Sequence, residues 1–300
     1  MTTRDGLRIQ APIFLNCLSR GGSNIFWNLF LSHPAACSPI LETLAIFRAD
    51  WRAPRRAGLW LALISGQPRF FDQWNLRPRR PLPPAAVRFI DRTLYRNKLL
   101  TLTDPVMRYK YPEEPYTAHE VERARLVAKN NNGLVFASEI LRDVYTDATF
   151  FCLVRHPLPL YESHKRRHLW RSPEAFAGFY NTICGRMLAD AQRCERCFIT
   201  RFEDVLADPI ATLRKVCGEA GLSFAEIRQV RLRSKEHFQR NGSRGATWEI
   251  GHHHWLDLAQ ARQFLDPNIN QIHVDQLDSH ERGAVLARTA PTLERLGYVD

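Results

Sequence analysis

Ile13-Phe14-Leu15-Asn16-Cys17-Leu18-Ser19-Arg20-Gly21-Gly22-Ser23-Asn24-Ile25-Phe26-Trp27-Asn28-Leu29-Phe30-Leu31 is an apolar run that stops at a basic, glycine-rich turn and restarts with helical spacing. That order predicts a strand, a tight loop and a helix N-terminus. Such a turn aims successive backbone N–H groups at one spot, where the helix dipole favours negative charge. Arg20 adds a permanent cation, and Ser23 and Asn24 bring further donors to the first helical turn. The loop fits neither G-x-x-x-x-G-K-[ST] nor G-x-G-x-x-G, because no Lys precedes Ser23 and the glycines are adjacent.

A second strand, Phe150-Phe151-Cys152-Leu153-Val154, ends in Arg155-His156-Pro157, with the proline where a first-turn helix proline belongs. Ser163 follows Arg155 by eight positions, a little over two helical turns, so both can reach one ligand. Taken together the two loops resemble the sulfotransferases that use 3′-phosphoadenosine 5′-phosphosulfate (PAPS). In that family R-[SG]-G-[TS]-[TSN] after the first strand holds the 5′-phosphosulfate, which implies that role for Arg20, Gly21, Gly22, Ser23 and Asn24. An R-[DH]-P strand end with a serine eight residues on grips the 3′-phosphate, implying Arg155 and Ser163.

The resemblance extends from about Ala11 to Phe224, with residues 50–120 unmatched. His33-Pro34 closes the first helix as in the bacterial and Golgi-type branches, and Ala128-Lys129-Asn130-Asn131 stands where K-x-P is common. Glu139 to Ala148 is similar to the helix and F-P-D-A lead-in before the second strand, and Arg201 to Pro209 is close to Y-E-D-L-x-x-D-P. Phe202 thereby replaces the Tyr near the adenine. Gln239 to Trp248 resembles the loop that closes over the 3′-phosphate, which implies contacts from Arg240 and Gly242. Gly21, Asn24, Asn131 and His156 each depart from the commonest residue at their position.

Sulfuryl transfer needs a base for the acceptor hydroxyl, cations for the leaving phosphate, and donor and acceptor in line. Arg20 and Lys129, both at the ends of expected strands, are the cations. Glu42, eight residues after Pro34, is the carboxylate that the resemblance implies as general base. His119 ranks below it. No metal is demanded. The resemblance implies a hydroxyl acceptor, and Trp and Arg residues in the 50–80 segment suit a carbohydrate or glycolipid. Two other readings compete: a P-loop kinase-like phosphotransferase, which needs a Walker lysine the sequence lacks, and a noncatalytic nucleotide or polyanion binder, indifferent to Glu42 and Lys129.

Three hundred residues with 45% hydrophobic content suit a single domain with a sizeable core, residues 45–120 forming an acceptor-binding insertion or lid. A net charge of +11 is compatible with nucleic acid, yet the arginines are spread along the chain and form no nucleic-acid-binding pattern. No apolar stretch approaches the roughly 20 residues of a membrane span, and none near the N-terminus reads as a secretory signal. The odd set of seven cysteines suggests reduced thiols, so a cytoplasmic enzyme is the expectation. Cys194-x-x-Cys197 lacks a second pair at metal spacing and reads as a helix-end coincidence, and His252-His253-His254 as a polar turn.

Strands are expected at 13–17, 126–128, 149–154 and 198–200, the first three each leading into a helix, with further helical stretches at 39–66, 120–125, 173–193, 209–218, 224–231 and 283–296. Alternation of this kind implies an α/β, three-layer, P-loop-like fold: a central parallel sheet with helices on both faces and ligands at the strands' carboxyl ends.

Overall fold

The computed structural model describes residues 6–48, 55–67, 71, 76–78, 80–170, 172–233, 253–265 and 268–298. The elements begin with β1 (Ile13–Cys17), α1 (Ser23–Phe30), β2 (Ala36–Cys37), α2 (Thr43–Ile46), α3 (Arg56–Ser65) and α4 (Pro84–Leu99). A small hairpin of β3 (Tyr109–Tyr111) and β4 (Glu114–Pro115) precedes α5 (Ala118–Arg123), β5 (Arg125–Asn131) and α6 (Ser138–Val144). Next come β6 (Thr149–Val154), α7 (Pro157–Lys165), α8 (Pro173–Arg193), β7 (Cys197–Arg201), α9 (Phe202–Ala207) and α10 (Pro209–Ala220). The last elements are β8 (Val230–Arg233), β9 (His253–Leu256), α11 (Leu258–Phe264), α12 (Ile269–Val274) and α13 (Ser279–Arg295).

The central sheet runs β2-β5-β1-β6-β7, every pairing parallel. Side chains alternate across it. Phe14, Ala128, Phe150 and Cys152 enter one apolar cluster with Ile90 of α4, Ile140 of α6 and Phe176 and Ile183 of α8. Ile13, Leu15, Val127 and Phe151 enter a second cluster with Phe26 and Leu29 of α1 and Leu213 and Val216 of α10. Both faces are therefore covered, as the unbroken apolar runs of these strands require. Proline at the first turn of α8 and α10, behind caps from Ser172 and Asp208, fixes where those helices start.

Three departures from the sequence reading stand out. Residues 84–99, left unassigned, form α4, whose Ala86, Ile90 and Leu94 lie at four-residue spacing on the buried face. Residues 224–231 were expected to be helical, but only Phe224–Glu226 makes a short 3-10 turn, and Val230-Arg231-Leu232-Arg233 alternates as a strand. His253 and His254, expected in a turn, belong to β9 and pair with Arg233 and Leu232; His252 lies outside the described residues. The short β8 run is ambiguous between the two periods, and the cross-strand partner decides it. Cys194 caps α8 and Cys197 begins β7, and all seven thiols are unpaired.

Phe151 is completely buried, with ring centroids 4.9 Å from Phe30 and 5.5 Å from Phe198. Phe151→Ala is expected to cost about 3–5 kcal/mol of unfolding free energy in a urea titration, because β6 sits between β1 and β7 and cannot collapse into the void.

Candidate active site

Beyond β1 the chain turns sharply. The Gly21 N–H donates to the Leu18 carbonyl at 3.1 Å, and Arg20 and Gly22 both adopt left-handed backbone, with φ of 68° and 87°. The Gly22 carbonyl then accepts from the N–H groups of Ile25 and Phe26, opening α1 without a side-chain cap. First-turn N–H groups of a helix have no partner inside it, so this end is free to meet an anion. Glycine at 22 is required twice over. Its φ suits no Cβ, and a Cβ there would overlap the ring of Phe202, the first residue of α9.

Arg155 follows β6 and is 4% exposed. Its Nε and one terminal nitrogen donate to Asn270 Oδ1 at 2.9 and 2.6 Å, and the other to the Arg20 carbonyl at 3.0 Å. The guanidinium also lies over the Phe202 ring, 5.1 Å from its centroid. Among the described residues no carboxylate forms an ion pair with it. Glu203 acts from behind, accepting from Asn270 Nδ2 at 2.7 Å, from Tyr298 Oη at 2.6 Å and from the His156 N–H at 3.0 Å. Burial draws the Arg155 pKa down to about 10, which leaves it cationic at neutral pH. Arg20 Nε donates to Ser163 Oγ at 3.2 Å, and burial, then Arg167 and Arg166, lowers its pKa.

Lys129 emerges from β5 with its side chain 1% exposed and pairs with Glu42 Oε1 at 2.7 Å. It also donates to Asn24 Oδ1 on α1 and lies 4.9 Å from the Trp27 ring centroid. Asn131 Nδ2 donates to Glu42 Oε2 at 2.7 Å. The Glu42 side chain is 38% exposed, so the carboxylate is fixed on one side and reachable on the other.

One cavity of about 300 Å³ is lined by Arg20, Gly22, Ser23, Asn24, Glu42, Lys129, Arg155, Ser163 and Phe202. The fold therefore brings together nearly every residue that the sequence singled out. Gly21 is buried beneath, where a Cβ would meet the Leu18 carbonyl. Arg240 and Gly242 lie outside the described residues. Asn270, His273 and Glu203 complete the Arg155 environment, and sequence reasoning had not assigned them. Asn270 and His273 are three apart in α12, one helical face, but no motif marks them. Asn131, read only as a departure, holds Glu42. Among the described residues no His, Cys, Asp and Glu cluster could hold a metal, and no helix is long and apolar enough to cross a membrane. A buried guanidinium, a buried ammonium and an uncapped helix start around one space can hold an elongated polyanion, with a carboxylate at its rim.

A family model described as "Sulfotransferase family" matches residues 12–226. Among solved structures, the sulfotransferase domain of the Synechococcus PCC 7002 olefin synthase is 18% identical with a TM-score of 0.50, the match covering 100% of this chain and 99% of that one. A sulfotransferase from Alicyclobacillus acidocaldarius is 15% identical with a TM-score of 0.46, covering 96% and 95%. No curated protein matches the chain.

Gly22→Ala is expected to destabilise the protein by about 1–3 kcal/mol and to remove anion binding. Phe202→Ala in the same chain should recover part of that loss, so a double-mutant cycle on melting temperature will read a coupling of the two positions.

His164, 2% exposed with Nε2 at 2.7 Å from the Ser19 carbonyl, is held to a pKa of about 4 by burial. The unfolded chain therefore takes up this proton first, and stability is lost as pH falls from about 6.5 toward 4. His164→Gln should flatten the stability-versus-pH slope in that window by up to about 1.4 kcal/mol per pH unit, as followed by urea midpoints.

Proposed function

The chain belongs to the sulfotransferase family, and from that premise we propose that it transfers the sulfuryl group of PAPS to an acceptor hydroxyl. The observation that carries the reading is Arg155, buried with neutral partners and 3.0 Å from the carbonyl of the Arg20 loop. A buried cation with no carboxylate in direct contact suits an anionic ligand at that spot.

In this reading Arg155 and Ser163 hold the 3′-phosphate, to which the resemblance also assigns Arg240 and Gly242. The N–H groups of the Gly22–Asn24 stretch hold the 5′-phosphosulfate, with Gly21 closing the turn beneath them, while Phe202 supplies an apolar wall for the adenine. PAPS supplies an activated sulfuryl group and a phosphate leaving group. Glu42 takes the proton of the acceptor hydroxyl as its oxygen bonds to sulfur. The bond from sulfur to the 5′-phosphate breaks, its electron pair leaving with that phosphate, and Lys129 and Arg20 neutralise the charge that develops. No metal takes part.

Residues 45–120 form the acceptor side, a carbohydrate or glycolipid being the class that an exposed aromatic such as Trp60 suits. Seven unpaired thiols suit the cytoplasm.

Calorimetry with 3′-phosphoadenosine 5′-phosphate tests the donor assignment, since it should bind at least tenfold more tightly than AMP or ATP. Comparable affinities would refute it. Arg155→Ala should weaken that binding by about 10- to 100-fold and Ser163→Ala by about 2- to 10-fold.

Glu42→Gln should leave the affinity within about threefold and lower transfer from labelled PAPS by about 10²–10⁴. A Gln variant that turned over normally would remove Glu42 as the base.

A further inference from the structure

A second cavity, of about 440 Å³, lies between the β3–β4 hairpin and the β8–β9 ribbon. Alternation in β8 sends Val230 and Leu232 into the apolar cluster with α1 and leaves Arg231 on the other face, beside its register partner Trp255. The Arg231 guanidinium lies 5.6 Å from the Trp255 ring centroid. The Tyr111 ring, 5.6 Å from Trp255, anchors the hairpin through its hydroxyl, which donates to the Glu226 carbonyl at 2.9 Å and accepts from the Arg228 N–H at 3.1 Å.

Arg231 is 2% exposed, and no hydrogen-bond acceptor reaches its side chain among the described residues; its Nε is buried without a partner. Nearby carboxylates make no hydrogen bond or ion pair with it. Asp104, whose Oδ1 accepts from the N–H groups of Val106 and Met107 at 2.9 and 2.7 Å, supports the Arg231 charge only through space, and Glu114 pairs with Arg228. His253 on the same wall is held to a pKa of about 4 by burial and then by Arg231 and Arg233, so it stays neutral near pH 7 and can act as a hydrogen-bonding group. A buried guanidinium with no acceptor destabilises the fold unless something in the cavity neutralises it. The remaining wall is Pro105, Val106, Tyr109, Pro112 and Trp255, apolar apart from the exposed Glu113.

We propose that this cavity is a second ligand site, taking a small organic monoanion (a carboxylate or a sulfate ester on a flat ring) with its charged group on Arg231 and its ring against Trp255. The site is separate from the cavity at the start of α1: the Arg231 N–H bonds Ser32 Oγ, just past the opposite end of that helix. It does not depend on the donor assignment.

Thermal unfolding of the full chain with benzoate, 4-nitrophenyl sulfate or neutral benzamide tests it. Either anion should raise the melting temperature by about 3 °C at ten times its dissociation constant, and benzamide should not. The rise should vanish in Arg231→Met and persist in Arg155→Ala. Without ligand, Arg231→Met should melt no lower than the parent, since an uncompensated charge has been removed. Arg231→Gln gives the same ligand readout should the Met variant fail to fold. No rise in the parent protein, or an equal rise in both Arg231 variants, would overturn the proposal. Responses to one anion alone would identify the head group.

Discussion

Parallel register is the constraint on which the site depends. Leu15 stands opposite Lys129, Cys17 opposite both Asn131 and Leu153, and Val154 opposite Arg201. Four strands thus end together at one edge, and whatever follows each of them gathers there. Arg20 leaves after β1, Lys129 and Asn131 close β5, Arg155 follows β6, and Phe202 follows β7. A one-residue slip of β5 would turn Lys129 to the opposite face and away from Asn24 and Glu42. The hydrogen-bonded ladder therefore sets the distances among groups that are far apart in the chain.

Gathering cations at a buried edge carries an electrostatic penalty, and the protein meets it differently at each. Lys129 has a direct carboxylate, Glu42. Arg155 has Asn270 and a main-chain carbonyl, with Glu203 one hydrogen bond further away. That arrangement fixes the guanidinium's orientation while leaving its charge unneutralised by direct contact, which suits a group preorganised for an anion. Phe202 links the two halves. Its ring occupies the space a Cβ would need at Gly22 and lies under Arg155, so the loop after β1 and the cation after β6 share one apolar support.

The strands and loops of the edge were legible because their residues carry local signals: β-branched and aromatic runs that stop at glycine, arginine or proline. Glu42 was legible only through its distance from His33-Pro34. The partners of Arg155 were not, because Asn270 and His273, like Tyr298 that bonds Glu203 behind them, come from the last 31 residues and meet β6 only in the folded chain. Helix α4 carries its apolar residues at four-residue spacing among arginines, and the buried Asp91 within it breaks the pattern. That carboxylate accepts from the N–H groups of Arg8 and Ile9, a tertiary role invisible to periodicity. Arg231 hid β8 for a related reason: a charge on a buried face contradicts the usual meaning of a charge in a pattern.

The Glu42–Lys129 pair bears on how the two roles proposed for it can coexist. Both oxygens of the Glu42 carboxylate are engaged, one by the ammonium at 2.7 Å and the other by the Asn131 amide at 2.7 Å, so its orientation is fixed by two contacts. The same ammonium has Asn24 of α1 as a second partner. In the proposed function a bound phosphosulfate would offer Lys129 a further anionic partner. Glu42 would keep the amide of Asn131, which fixes its orientation toward the cavity rim. On these contacts, one ion pair joins the carboxylate proposed as base to the cation proposed for the donor, so a change at either residue reaches the other.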